Sequence, residues 1–352
     1  MSDDLRARMS ESDAAHWDEI QRWKDTQVRP IRPRVISQRV RSVALAPLGK
    51  AVSIARKVPG GEALTRTVSS AALGLVELAA SASEASVRRK RILKAYRSAG
   101  FDVRTLQDIR SLALDDVLAV KPRLSLAYST TAAAEGAVSG VFASGGSVAA
   151  VLGMGVASAP GVGVTASAIA VDITTFLAAA TRLVAHTAAY CGYDSEDPTE
   201  RLFSTMVLSQ AIDPTGSGHD FVVEKQTTML AFNKVMRDLA RRGSLDGLGG
   251  NVVVSAMNSL FSAMGVRLAS RKLAQIVPVA GVVVSAGLNA ALMRTIGETA
   301  DHLYRERFLA EHYGRVETSD GASTDLARSA DSQELSADIA RYVEIAEAES
   351  RP

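Results

Sequence analysis

Apolar residues recur at three- and four-residue spacings along most of this chain, and no period-2 alternation runs far enough to build a sheet. The pattern predicts an all-α fold, a multi-helix bundle. Residues 1–28 read as a short amphipathic helix carrying Trp17 and Trp23, stopped by the prolines of "RPIRPR". "VSSAALGLVELAASASEASVRRKRILKAYRSAGFD" reads as helix with Gly100 as its C-cap, and "TLQDIRSLALDDVLAVKP" as one or two short helices ending at Pro122. Two apolar helices follow, near 126–157 and 163–191, parted by "SAPGVG", with Gly192 as the stop of the second. Further helices are expected at 198–212, over "VVEKQTTMLAFNKVMRDLARR", at 251–266 and at 279–310, with one acidic amphipathic helix from 334 to 349.

These elements group into three regions. Residues 1–35 form an N-terminal amphipathic helix and Pro/Arg linker, 36–313 a helical domain, and 314–352 an acidic, largely disordered tail. Hydrophobic residues make up 47% of the chain but aromatics only 5%, so the core is expected to be packed from Ala, Gly and Val, with helices in close approach.

Residues 136–171 carry no formal charge. Either 136–157 or 163–184 is long enough to cross a bilayer, which takes about 20 apolar residues. Composition argues against a span: the segments are Gly, Ala, Ser and Thr with scattered branched aliphatics, and Asp172 and Arg182 inside the second would cost about 2.5–3.5 kcal/mol each. A helix buried in a bundle is the favoured reading and a membrane-inserted hairpin the alternative. On an ideal helix Asp172, Thr175, Arg182 and His186 fall within an arc of about 80°. Asp172 is then either a buried charge paired with another helix or the polar end of a cavity shared with Glu135 and Asn289. Sequence leaves both readings open.

Net charge is +2, but it is unevenly spread. From Gln21 to Lys57 basic residues crowd the chain and Asp25 is the only acid, whereas from Val316 to Pro352 acids dominate. Arg32, Arg34, Arg39, Arg41, Lys50, Arg56 and Lys57 are the candidate contacts to an anionic membrane surface. Nucleic acid is the disfavoured partner, because the run has few aromatics for stacking and matches no reading module. The single cysteine, Cys191, excludes an intramolecular disulfide, and the first residues lack a secretory pattern, so a cytoplasmic location is expected.

Catalytic signatures are missing from the residues. "GLGGNVVVS" lacks the lysine of a phosphate loop, His16, His186, His219, His302 and His312 form no metal-binding spacing, and no GxSxG elbow occurs. Asp115–Asp116 is read as the acidic first turn of a helix. No cofactor and no metal are expected, and the residues favour a non-enzymatic protein.

Three strings taken in order, "DIRSLALDDVLAVKPRLSLAYSTTAAAEGAVSG", "VDITTFLAAATRLVAHTAAYCGYDSEDPTERLF" and "VPVAGVVVSAGLNAALMRTIGETADHLYRERFL", resemble the EcsC protein family, named for a gene beside an ABC-transporter operon in bacteria. The resemblance covers about residues 85–310. It matches Glu135, Gly136 and Gly140, then Asp172, with Thr174 where the family places Pro. Tyr190, Gly192, Tyr193, Asp194, Pro198, Glu200 and Arg201 match a Tyr-Gly-Tyr-Asp turn and the helix after it. Pro278, Gly281, Gly287 and Asn289, then Arg307, Phe308 and Leu309, match the last segment. The resemblance implies a helical, membrane-associated bacterial protein and brings no established reaction.

The expected function is therefore a peripheral, non-enzymatic protein at the inner face of the cell membrane, linked to a transport or secretion system, with an ABC transporter or another membrane protein as partner. The alternative is an enzyme or carrier acting on a hydrophobic ligand in a helical cavity around Glu135, Asp172, Arg182 and Asn289.

Overall fold

The computed structural model describes residues 2–28, 87–130, 162–212, 219–242, 250–273, 281–314 and 325–348. These form α1 (Ser2–Ala7), α2 (Glu11–Val28), α3 (Arg89–Ser98), α4 (Leu106–Ile109), α5 (Leu114–Val120), α6 (Val162–Tyr190), α7 (Pro198–Ala211), α8 (His219–Arg242), α9 (Gly250–Leu273), α10 (Gly281–Gly314) and α11 (Asp325–Ala348). Residues 124–130 are also helical. No strand occurs among the described residues, as the all-α reading expects.

The bundle is organised around α7. Its start is written locally: Asp197 accepts from the Thr199 N–H at 2.8 Å as N-cap, and Pro198 occupies the first turn, where its missing N–H costs nothing. From Thr199 to Ala211 only Arg201 escapes burial, because α6, α8, α9 and α10 all pack against this helix. Leu202, Phe203, Met206 and Val207 are wholly enclosed, each apolar side chain contributing about 1.5–3 kcal/mol relative to exposure. Polar side chains of α7 bond to neighbouring elements or to its own backbone, except Ser209, whose hydroxyl meets no partner among the described residues. Gln210 donates to Thr228 O (3.3 Å) and to the Tyr342 hydroxyl (3.2 Å), and Thr205 Oγ1 donates to Arg201 O (2.7 Å).

Two close approaches fix the packing. Gly192 ends α6 with φ +86°, and a Cβ there would lie 2.7 Å from Leu106 O, so only glycine fits both the backbone and the space. At Gly297 of α10 a Cβ would lie 2.6 Å from Ser125 Cβ and 2.8 Å from its Cα. This is the small-residue contact that the composition predicts, with a helix resting directly on the backbone of residue 125.

Helices near both ends of the chain pack on the bundle. α2 is an integral helix of the bundle: Trp17 and Ile20 are buried, and it packs on α5, α8 and α10. Within 314–352, residues 325–348 are helical. α11 begins earlier than the expected 334 and docks on α8 and α9 through buried Leu335, Ile339, Tyr342 and Ala346. Their spacing of four, three and four residues makes one apolar stripe in a helix whose other faces are charged, and low average hydrophobicity concealed it. Arg267 of α9 locks this end, its guanidinium donating to Ala346 O at 2.6 Å and to Ile212 O at 3.2 Å, so that one cation meets the C-terminal carbonyls of α7 and α11.

Among the described residues no helix is long and apolar enough to cross a membrane. The 136–157 stretch lies outside them.

Candidate functional site

The polar stripe expected on α6 exists, but its described members face outward. Thr175 and Arg182 are exposed and His186 is half-buried. His186 Nδ1 lies 2.6 Å from the Tyr128 hydroxyl. Burial, with the charge of Arg182, holds the imidazole below its ordinary pKa of 6.5, and burial raises the Tyr128 phenol to about 12. Asn289 of α10 is buried, so Arg182 and Asn289 do not share an interior cluster. Glu135 and the Asp172 side chain lie outside the described residues, as do Arg32, Arg34, Arg39, Arg41, Lys50, Arg56 and Lys57.

The principal buried polar assembly lies elsewhere, at one turn of α10. Four successive residues, Tyr304-Arg305-Glu306-Arg307, diverge by about 100° each and therefore reach different helices. Arg307, wholly enclosed, has Nη1 2.6 Å from Glu200 Oε2 of α7 and Nε 2.8 Å from Glu311 Oε1. Its guanidinium stacks over Tyr193 (4.2 Å to the centroid) and Phe203 (4.4 Å). The Tyr304 hydroxyl donates to Glu200 and lies 2.8 Å from Ser204 Oγ. Arg110, beside α4, closes the set by pairing with Glu311 and covering Tyr193 at 5.0 Å.

Electrostatics here are those of a closed network. Burial opposes the charge on Arg307, but Glu200 and Glu311 outweigh it and the guanidinium is held charged more firmly than usual. For Glu200 burial prevails over the pull of Arg307 and the hydrogen bond from Tyr304, so its carboxyl sits above the ordinary range. The Tyr193 phenol is pushed well up by burial, and its hydroxyl finds no hydrogen-bond partner among the described residues.

The other two residues of the turn hold α2. Glu306 meets Lys24 Nζ at 2.5 Å, both side chains buried, and Lys24 also donates to Asn233 Oδ1 of α8 at 2.6 Å. Arg305 donates to Glu19 Oε2 and to His16 Nδ1, each at 2.7 Å. Because Arg305 can only donate, His16 carries its proton on Nε2, which lies 2.8 Å from Asp115 Oδ1. The acidic first turn of α5 thus has a definite partner. An adjoining cavity of about 440 Å³ is lined by Lys121, Ser125, Thr187, Glu298, Asp301 and His302 among others, and Lys121 and Asp301 pair with each other across it.

No group of three or more His, Cys, Asp or Glu among the described residues is placed to hold a metal ion. The arrangement is chemically one of mutual neutralisation: carboxylates and guanidiniums are paired inside the bundle rather than aimed at open space.

Glu200, Tyr304, Arg307, Glu311 and Arg110 were not singled out by spacing. Only the family resemblance pointed to Tyr193, Glu200 and Arg307, and the structure brings all three together. The available signal was that Glu200 and Arg307 are charges set in apolar helical sequence, "PTERLFSTMVLSQA" and "YRERFLAEHY".

No curated protein and no solved structure matches the chain. The model of the EcsC protein family matches residues 147–309, a narrower stretch than the 85–310 of the resemblance, leaving the whole of the first string outside. It spans the Tyr193 turn, all of α7, α8 and α9, and α10 as far as Leu309, and so holds both partners of the Glu200–Arg307 pair. Residues 147–309 of this chain thus match an EcsC family domain.

Proposed function

We propose that the protein is a non-enzymatic helical scaffold that sits on the anionic inner face of a cell membrane, held there by residues 29–57, and serves a transport or secretion system. The observation that carries this reading is the segregation of charge. Residues 29–57 hold Arg29, Arg32, Arg34, Arg39, Arg41, Lys50, Arg56 and Lys57 and no acid. Buried cations of the bundle, by contrast, are engaged by its own acceptors, carboxylates in Lys24–Glu306 and Arg307–Glu200 and helix-end carbonyls at Arg267. Each Lys or Arg near an anionic leaflet contributes about 1 kcal/mol, so a run of this density is enough for reversible attachment.

The test is partition of the full chain onto phosphatidylcholine vesicles with and without phosphatidylserine. Replacing Arg32, Arg34, Arg39 and Arg41 by Gln spares α2 and is expected to weaken phosphatidylserine-dependent binding by about 4 kcal/mol at low salt. Added salt reproduces the effect by screening. Equal binding to neutral vesicles, or binding unchanged in the variant, refutes the reading.

A further inference from the structure

Residues 29–57, the basic arm, are not the chain's only basic feature. The α3 sequence "RKRILKAYRS" is strongly amphipathic: Ile92 and Tyr96 are buried, and the Tyr96 hydroxyl donates to Tyr190 O at 2.5 Å, seating α3 on the end of α6. Opposite that buried edge, within about 60° of the outward direction, fall Lys90, Arg91, Lys94 and Arg97. All four are exposed. No acid occurs from Arg88 to Phe101, and among the described residues none of the four pairs with a carboxylate. Their neighbour Arg89 is turned aside and does pair, with Asp194 at 2.8 Å and with Glu196. The outward four are thus distinct from the cations that hold the fold.

The same surface continues along α6. Arg182, His186 and Tyr190 follow one another at four-residue steps, covering about 12 Å of helix. Arg91 lies close enough to Tyr190, and Arg182 to Tyr128, for each charge to act on the phenol beside it.

We propose that α3 and the outward stripe of α6 form a second, folded contact face for anionic phospholipid headgroups, built on Lys90, Arg91, Lys94, Arg97 and Arg182. The inference rests on the membrane-surface reading above but uses different residues. Charge complementarity alone suits a lipid surface, which asks for density of positive charge rather than a shaped site. A single-stranded nucleic acid would ask in addition for open aromatic faces. The two tyrosines of this face are engaged: Tyr190 packs on Tyr96 (6.4 Å between centroids) and Tyr128 on His186 (5.9 Å).

The experiment compares four full-length proteins on phosphatidylcholine vesicles with and without phosphatidylserine: the unaltered chain, K90Q/K94Q/R97Q, R182Q, and the arm variant R32Q/R34Q/R39Q/R41Q. Each cation is worth roughly a fivefold factor in partition, so the triple variant is expected to lose on the order of a hundredfold and R182Q about fivefold. The affected residues are exposed, so the helical circular-dichroism signal and melting curve should be unchanged; R182Q, on another helix, keeps the test valid should the triple variant melt early. If the triple variant and R182Q bind as the unaltered chain does while the arm variant is released, this face is overturned and the arm reading survives. If the triple variant is released and the arm variant is not, the face stands and the arm reading fails. Failure of the unaltered chain to prefer phosphatidylserine overturns both. Loss of binding to an RNA or DNA oligonucleotide, with vesicle partition retained, overturns the lipid assignment in favour of nucleic acid.

Discussion

Replacing Arg307 by Met tests the claim that the Glu200–Arg307–Glu311 network is held together by mutual neutralisation. Methionine preserves much of the aliphatic stem and leaves Tyr193 and Phe203 a partner to pack on. The charge is gone, however, and Glu200 is left fully enclosed with hydrogen bonds from Tyr304 and Ser204 but no cation. Glu311 keeps Arg110, so the cost falls chiefly on Glu200. Removing one partner of a buried pair costs about 3–5 kcal/mol. A pH dependence follows with a definite sign. Burial already holds Glu200 above the ordinary carboxylate pKa of 4.5, and losing Arg307 removes the chief influence lowering it. A carboxyl whose folded pKa exceeds its unfolded value binds extra protons in the folded state, so its stabilising contribution is full below the unfolded pKa and is lost as pH rises through the folded one. The destabilisation of R307M relative to the unaltered protein is therefore smallest near and below pH 4.5 and grows as pH rises above it. Urea unfolding followed by circular dichroism at several pH values reads this directly, and Trp17 and Trp23 fluorescence reports whether α2 leaves with the rest. A loss under about 1 kcal/mol at neutral pH, or one that does not change with pH, would refute the argument.

Two further substitutions probe packing. Gly297→Ala forces a methyl group against the backbone of Ser125, and the expected cost of overpacking is about 1–3 kcal/mol, seen as a lowered melting temperature. Tyr193→Phe removes a buried hydroxyl that meets no partner among the described residues while keeping the ring between Arg307 and Arg110, so stability should be unchanged or raised by up to about 1 kcal/mol; a loss beyond that range would reveal a bound water or acceptor at the hydroxyl.

How far the fold could be read from sequence depended on whether the signal was local. The start of α7 at Asp197-Pro198, the stop at Gly192 and the turn at Gly100 are each written in one or two residues and emerge as expected. Direction was harder. Helical periodicity placed Thr175, Arg182 and His186 on one arc of α6 correctly, but an arc has no inside or outside until its neighbours are known, and it faces outward. Long-range pairing was beyond reach altogether. Nothing in the N-terminal sequence says that Lys24 will meet Glu306, or that a weakly hydrophobic C-terminal helix will be held by Arg267. The candidate site suffered in the same way, since its residues come from the loop beside α4, the Tyr193 turn, α7 and α10.

The docking of α2 has a mechanical consequence. In the sequence the basic segment lies between Val28, where α2 ends, and the buried Val87, so both of its ends join folded structure. Whatever captures it is therefore joined through the chain to the bundle at two points, Val28 and Val87. Any pull on the first of these passes along α2 into the Lys24–Glu306 and Arg305–Glu19 pairs, onto the same turn of α10 that grips α7. Force applied at the arm therefore arrives at the centre of the molecule.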